Sequence, residues 1–254
     1  MKIISYNLNG IRAALKKDLI DWVKKENPDI FCVQETKSQE DQVPPEIFGD
    51  LGYHAYWHSA EKKGYSGVLT YTKEKAKKVV VGMGMEKYDI EGRVLRTDFD
   101  DFTLVNLYLP SSTSGAERHD YKMEFLSDFE SWTKKLLKKQ KKVIILGDYN
   151  IVRLDIDIHN PTRKDKPPGF RPEERAWLQK WFDKDFTDAY RHLHPDKEDE
   201  YSWWSYRSGA RKNNKGWRID YISVTPNLAE RIKSVRHGHE VVHSDHVAVV
   251  MELG

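Results

Sequence analysis

The sequence predicts an α/β fold, in the α+β sense of mixed sheets, made of two similar halves whose sheets pack face to face. Three observations carry this expectation. Helical and strand patterns are interspersed along 254 residues, enough for a sizeable core. Most neighbouring strand patterns stand too close in sequence for regular βαβ alternation. In both halves, apolar strands run directly into polar residues of catalytic type. No clear linker or low-complexity segment breaks the chain, so residues 1–254 are expected to form a single domain.

Composition sets further bounds. Charged residues make up 32% and hydrophobic residues 39%, a soluble globular balance rather than a disordered one. The net charge is only +2, so a nucleic-acid partner has to be argued from a local patch. The one cysteine, Cys32, lies in an apolar strand and excludes a disulfide framework. The first residues go straight into a strand pattern, with no signal-peptide core and no membrane-spanning run. The expectation is a cytoplasmic protein, nucleoid-associated if prokaryotic. It is expected to be monomeric and to make no membrane contact.

The elements follow in order. Lys2–Tyr6 is a short strand that delivers Asn7 and then the turn pair Asn9-Gly10. Asp18 is placed to cap a helix whose Leu19, Trp22 and Val23 share one face, and Asn27-Pro28-Asp29 ends it. Ile30–Val33 is a buried strand leading to Gln34-Glu35. Gly64-Tyr65-Ser66-Gly67 is either a ligand-facing loop or an ordinary turn before the strand Val68–Tyr71. Glu91-Gly92-Arg93 leads into another strand, and Phe102–Tyr108 alternates towards Pro110. Tyr108 either presents its hydroxyl to a site or is a core aromatic with a wet tip.

His119–Lys139 is the strongest helix, with Tyr121, Phe125, Phe129, Trp132 and Leu136 at helical spacing. The lysines that follow are read as a solvated helix end. Val143–Asn150 has four aliphatic residues, a glycine, then Asp148-Tyr149-Asn150. Alternation puts Asp148 and Asn150 on one side with Tyr149 opposite. This is either a strand ending in a turn, or a strand delivering a carboxylate and an amide to a metal or a water. Arg153–Gly169 is polar and aperiodic, and its Thr162–Gly169 part reads as an exposed basic loop. Pro172 opens a helix with Glu173 and Glu174 in its first turn. Tyr201–Arg218 interleaves aromatic and basic residues, as a phosphate-tracking surface does, or else is core tryptophan beside a charged turn. Ile219–Val224 is a strand with Asp220 near its start, and Ser244-Asp245-His246 leads into a last buried strand.

Asn7, Glu35, Tyr108, Asp148, Asn150, Asp220, Asp245 and His246 therefore sit at strand ends along the whole chain. Oxygen donors without cysteine select a hard cation such as Mg²⁺ or Mn²⁺, and no Cys/His spacing suggests zinc. A hard metal, a histidine backed by an acid and an acid–amide pair suit phosphodiester hydrolysis. No glycine-rich phosphate loop of the P-loop or dinucleotide type is present.

The ordered motifs Asn7-Leu8-Asn9-Gly10, Gln34-Glu35-Thr36-Lys37, Gly64-Tyr65-Ser66-Gly67-Val68, Glu91-Gly92-Arg93, Gly147-Asp148-Tyr149-Asn150, Gly216-Trp217-Arg218-Ile219-Asp220-Tyr221 and Ser244-Asp245-His246 resemble the exonuclease III family of apurinic/apyrimidinic (AP) endonucleases, within the endonuclease/exonuclease/phosphatase superfamily. The resemblance covers essentially the whole chain. It implies a deoxyribonuclease I-like four-layered α/β sandwich, with two packed mixed sheets flanked by helices. It also implies a Mg²⁺-dependent DNA-repair enzyme, with Mn²⁺ able to substitute. Such an enzyme cuts 5′ to abasic sites in double-stranded DNA, leaving a 3′-hydroxyl and a 5′-deoxyribose phosphate. A 3′→5′ exonuclease or 3′-repair activity would accompany it.

By the same resemblance, Glu35 is the principal metal ligand with Asn7 and Asp245 nearby. Asp148 and Asn150 handle the attacking water, and His246 (paired with Asp220) and Tyr108 contact the scissile phosphate. The candidate metal set is thus Asn7, Glu35, Asp148, Asn150, Asp245 and His246. Arg12, Tyr65, Arg93 and Ser111 match DNA-backbone positions, and Trp203 and Trp217 match the pocket for a base-less sugar. Ser111 stands where relatives often carry asparagine. Val152-Arg153-Leu154, Lys164–Pro168 and Val247-Ala248 also depart from the family pattern. The rival readings are a phosphatase or phosphodiesterase of the same fold acting on a non-DNA substrate, and a DNA-binding homologue with weakened catalysis.

Overall fold

The structure, a computed structural model, describes residues 1–254. Its strands are β1 (Lys2–Asn7), β2 (Ile30–Gln34), β3 (His54–His58), β4 (Val68–Thr72), β5 (Lys78–Val81), β6 (Val94–Asp98), β7 (Thr103–Tyr108), β8 (Val143–Asp148), β9 (Thr187–Asp188), β10 (Asp220–Val224), β11 (Ile232–Gly238) and β12 (Ala248–Leu253). They form two six-stranded sheets, ordered β11-β12-β1-β2-β4-β3 and β5-β6-β7-β8-β10-β9. Each sheet has one parallel pair at its centre, β1–β2 and β7–β8, flanked on both sides by antiparallel pairs. The two halves expected from the repeated strand-to-polar theme are this shared order.

Period-2 alternation sorts side chains into layers. Ile3, Cys32, Leu104, Ile144, Leu146, Ile222, Val249 and Met251 fill the space between the sheets. Ile4, Tyr6, Phe31 and Val33 point the other way, onto Leu19, Trp22 and Val23 of the helix Leu19–Glu26. On the second sheet, Val105, Leu107, Val143 and Ile145 meet Phe125 and Phe129 of helix Ala116–Lys139 and Leu178 and Trp181 of helix Pro172–Lys184. Burial holds the Cys32 thiol up at about 12, an inert group. The inter-sheet layer carries one polar seam. Gln34 Nε2 donates to Asn106 Oδ1 at 2.8 Å, and Asn106 Nδ2 reaches the Leu69 and Val33 carbonyls of the opposite sheet at 2.9 and 3.2 Å. No helix is long and apolar enough to cross a membrane.

Several elements differ from the sequence reading. Asp18 makes no side-chain cap to its helix; its carboxylate instead pairs with His243 Nε2 at 2.9 Å. The long helix starts at Ala116, three residues before His119. Strands β3, β5 and β11 are not predicted by the sequence pattern; all three are partly exposed edge strands, and β3 and β11 lack an apolar run.

Candidate active site

The ends of strands from both sheets converge on one cavity of about 330 Å³, lined by Glu35, Tyr108, Ser111, Asp148, Asn150, Trp203, Trp217, Asp245 and His246 among others. In the first sheet, β1 ends in Asn7 and β2 runs out at Gln34, leaving Glu35 in a left-handed conformation (φ 50°). In the second, β7 ends in Tyr108, β8 in Asp148, and β10 begins with Asp220. Asp220 and Asp148 face each other across the antiparallel β8–β10 pair, and Tyr108 is beside Asp148 across the parallel β7–β8 pair.

Asn7 is the bridge between the sheets at this point. Its Nδ2 donates to Glu35 Oε1 at 2.9 Å and to Asp148 Oδ2 at 2.8 Å, while its Oδ1 accepts from the Asn9 amide at 2.9 Å. The Asn7 nitrogen thus braces the two carboxylates, and its oxygen accepts one backbone N–H. Asp148 is 1% exposed and accepts from the Asn150 backbone N–H at 2.8 Å and from Asn150 Nδ2 at 3.2 Å. The strand does end in an aspartate-capped turn, with Asn150 at φ 51° and Tyr149 buried in the opposite layer, and that turn is part of the site. Asn150 Nδ2 also donates to the Leu109 carbonyl at 3.0 Å.

His246 Nδ1 donates to Asp220 Oδ2 at 2.9 Å, which turns Nε2 towards Asp148 Oδ2 at 3.8 Å. Burial works against the charged imidazole, yet Asp220, Asp148 and Asp245 together raise its pKa to about 10. Burial first, and then the Asp220 carboxylate, raise Asp148 above the usual carboxylate range. Glu35 moves the other way: burial opposes ionisation, but the Lys37 ammonium (2.9 Å from Oε2) and Asn7 hold its pKa below the ordinary value. Burial and the charges of Glu35 and Asp148 keep the Tyr108 phenol protonated far above neutral pH.

Glu35, Asp148 and His246 offer ligand atoms within 4.8 Å of one another. His246 Nδ1 is engaged by Asp220, so Nε2 is the ring nitrogen that faces Asp148 in this set. The other two members are carboxylates, and Glu35 already holds the Lys37 ammonium. That set fits a hard divalent ion of the Mg²⁺ kind, which keeps most of its waters and takes one or two protein carboxylates. Asp245 is bound by Asn9 Nδ2 at 2.9 Å and Trp203 Nε1 at 3.0 Å at the cavity edge.

The expected DNA-facing residues divide. Trp203 and Trp217 stand edge to face at 5.7 Å and wall the cavity, with their backbones paired by two 2.9 Å hydrogen bonds. Ser111 lies at the rim and its hydroxyl is 3.2 Å from that of Thr113. Arg12 is exposed on the helix Ile11–Leu15, outside the cavity lining. Arg93 is placed differently from the expectation. It is 2% exposed, salt-bridged to Glu91 at 2.5 Å, bonded to the Tyr108 carbonyl at 3.0 Å, and set over the Tyr108 ring at 4.7 Å. It braces Tyr108 instead of presenting charge to a ligand. The Tyr65 hydroxyl accepts from Arg93 Nη2 at 2.9 Å and from Arg118 Nη2 at 2.8 Å, so its oxygen belongs to the same brace. In Tyr201–Arg218 the two sequence readings split as well. Trp204 is core, and Arg218 is fully buried between Asp157 and Asp188 at 2.8 Å each, leaving Trp203, Trp217 and the 72% exposed Tyr206 outward.

Sequence reasoning missed Asn9, Lys37, Arg118 and a buried ion pair below the site. Lys122 Nζ donates to Glu174 Oε1 at 2.7 Å and to the Asn150 carbonyl at 2.9 Å, with both side chains at 0% exposure. Glu174 also accepts from Ser112 Oγ at 3.1 Å and from the Gly169 and Arg171 amides at 2.7 and 3.1 Å. One pair thus ties the loop after β7, the turn after β8 and the loop before helix Pro172–Lys184. The available signal was a lysine three residues before Phe125 on the apolar stripe of its helix.

Residues 4–246 match the family model described as "Endonuclease/Exonuclease/phosphatase family". The chain is 42% identical over 252 residues to an exodeoxyribonuclease of Bacillus subtilis, covering 98% of each chain. It is 39% identical to the DNA repair nuclease APEX1 of Danio rerio, covering 100% of this chain and 82% of that one. Among solved structures, an AP endonuclease from Archaeoglobus fulgidus superposes with a TM-score of 0.90 at 30% identity, over 100% of this chain and 99% of that one.

Proposed function

The chain belongs to the endonuclease/exonuclease/phosphatase family, and we propose that within it this protein is a DNA-repair AP endonuclease. The proposed reaction is Mg²⁺-dependent hydrolysis of the phosphodiester 5′ to an abasic site in duplex DNA, leaving a 3′-hydroxyl and a 5′-deoxyribose phosphate. A 3′→5′ exonuclease or 3′-repair activity accompanies it. The supporting observation is the convergence of Glu35, Asp148 and the Asp220–His246 pair on one cavity walled by Trp203 and Trp217. The named nucleases of Bacillus subtilis and Danio rerio support the reaction class. The proposed setting is a single-domain monomer in the cytoplasm, beside the nucleoid in a prokaryote.

Glu35 and Asp148 are the residues that would hold the divalent ion, with Asp245 near them. When bound, the ion supplies positive charge to the phosphate oxygens and to the leaving oxygen. The residues do the rest. Asp148, at the base of the cavity, orients the attacking water and takes a proton from it. The Asn150 amides fix the orientation of that carboxylate. His246, held cationic and oriented by Asp220, presents Nε2–H to a non-bridging phosphate oxygen. Tyr108, braced by Arg93, presents a phenol that stays protonated and donates to the same phosphate. Trp203 and Trp217 form the wall against an extruded sugar, which costs little to flip when it carries no base.

The test is a labelled duplex with one stable abasic-site analogue, incubated with Mg²⁺, with EDTA, and with Asp148→Asn. Products are resolved on a denaturing gel. A Mg²⁺-dependent cut on the 5′ side, lost in the variant, is expected. Full activity of Asp148→Asn or Glu35→Ala would overturn the roles. Intact strands with a shifted band on a native gel would mean a binder.

A further inference from the structure

A second cluster of ligating side chains stands apart from this cavity, at the far end of β11. His237 is in the strand and His239 two residues on, so both imidazoles reach the same side. Glu200, on the segment leading to Tyr201, meets them. Its Oε2 is 3.1 Å from His237 Nδ1 and 3.0 Å from His239 Nε2, and all three ligand atoms lie within 4.8 Å of one another. We propose that Glu200, His237 and His239 form a binding site for a single Zn²⁺-class transition-metal ion.

The donor chemistry selects the ion. Two imidazoles and one carboxylate are a borderline set that suits Zn²⁺, Co²⁺ or Ni²⁺ and disfavours Mg²⁺, which wants oxygen. The geometry is close to what such an ion needs. With metal–ligand bonds of about 2.0–2.1 Å, tetrahedral donors sit roughly 3.3–3.4 Å apart, so the two short edges here need open by only a few tenths of an ångström. The site has a floor and a mouth. The His237 ring is fully buried and stacked at 4.3 Å on Tyr190, while His239 is 45% exposed at the rim of a cavity of about 420 Å³. Solvent supplies the fourth position at that rim.

Two features oppose binding and set its strength. Lys197 holds the other Glu200 oxygen at 2.7 Å, but its side chain is 54% exposed and free to swing out. A metal on His237 Nδ1 moves the ring proton to Nε2, which is buried with no partner. Binding is therefore weaker than at a closed structural zinc site. The sequence conceals the cluster because Glu200 stands 37 residues from its first histidine.

The experiment is Zn²⁺ titration of the full chain by calorimetry in excess Mg²⁺, so that oxygen sites are already filled, with Co²⁺ absorption as a second readout. Wild type and His239→Ala are compared; the exposed ring makes this variant safe for folding, which circular dichroism checks. The expected result is one Zn²⁺ equivalent in wild type that is lost in His239→Ala, together with tetrahedral-type Co²⁺ bands that disappear with it. Retention of that equivalent in Glu35→Ala separates it from the cavity above. Equal Zn²⁺ stoichiometry in wild type and His239→Ala, or no Zn²⁺ binding by wild type, overturns the proposal.

Discussion

Replacing Lys122 by methionine is the sharpest probe of how the proposed active site is held. Methionine keeps most of the volume, so the loss is electrostatic rather than a cavity. Two contacts vanish: the 2.7 Å pair with Glu174 and the 2.9 Å bond to the Asn150 carbonyl. Breaking a buried pair by removing one partner costs about 3–5 kcal/mol, because the remaining charge is stranded in a medium that cannot solvate it. Glu174 keeps three donors, the Ser112 hydroxyl and the Gly169 and Arg171 amides, which places the loss near the lower end, about 3 kcal/mol. For a chain of this size that corresponds to a fall in Tm of roughly 6–12 °C. Glu174→Gln strands the opposite charge and turns an amide nitrogen either towards the Gly169 and Arg171 N–H groups or towards the Lys122 ammonium, so its single cost is similar. In the Glu174→Gln background, however, Lys122→Met removes an ammonium ion that has already lost its partner, and should cost only about 1 kcal/mol. Urea unfolding of the four proteins at neutral pH measures the cycle. Additive costs, or a Lys122→Met loss below about 1 kcal/mol, would refute the reasoning.

The other predictions concern single positions. Gly147 sits at φ 141° opposite Leu107, and a Cβ there would overlap the Leu107 carbonyl oxygen; Gly147→Ala should destabilise by more than about 2 kcal/mol in the same assay and displace Asp148. Burial opposes the charge on Glu91, but Arg118 and Arg93 pull its pKa down to about 2, so its stabilisation is complete above the ordinary glutamate pKa of about 4.3 and is lost as pH falls through 2. Thermal melts between those pH values should therefore fall more steeply for wild type than for Glu91→Gln, and parallel slopes would contradict this. In metal-free protein, Asp220→Asn should lower the His246 pKa from about 10 towards its ordinary range, visible in an NMR titration of the ring, and reduce nicking; an unmoved titration would remove Asp220 from that role.

The catalytic-type residues are legible in the sequence because each stands at or beside one end of an apolar strand, and the ends of buried strands meet at a shared edge. Asp148 and Asp220 illustrate it: one ends β8, the other begins β10, and antiparallel pairing makes them neighbours. What stayed hidden were long-range pairings of charge. Arg218 and Lys122 look like surface residues in sequence, and only the fold shows that Asp157 and Glu174 accompany them inside. A charge is buried when its partner is, and the partners lie too far apart or in too plain a context to be matched by spacing. The edge strands were invisible for the opposite reason, since half-exposed residues carry little periodic signal.

The amide seam between the sheets has a further consequence. Most of the inter-sheet layer is aliphatic, and such a surface resists separation far better than it resists sliding. Gln34 and Asn106 change this, because any shear between the sheets would strand their amides without partners, at about 1–3 kcal/mol for each group. Glu35 follows Gln34 directly, Tyr108 stands two residues beyond Asn106 on β7, and Asp148 is on the adjoining β8. The seam thus works as an alignment key: it converts a greasy contact that tolerates many offsets into one setting, and the two carboxylates bridged by Asn7 face each other only in that setting. Loss of alignment would therefore silence the chemistry while both sheets were still intact.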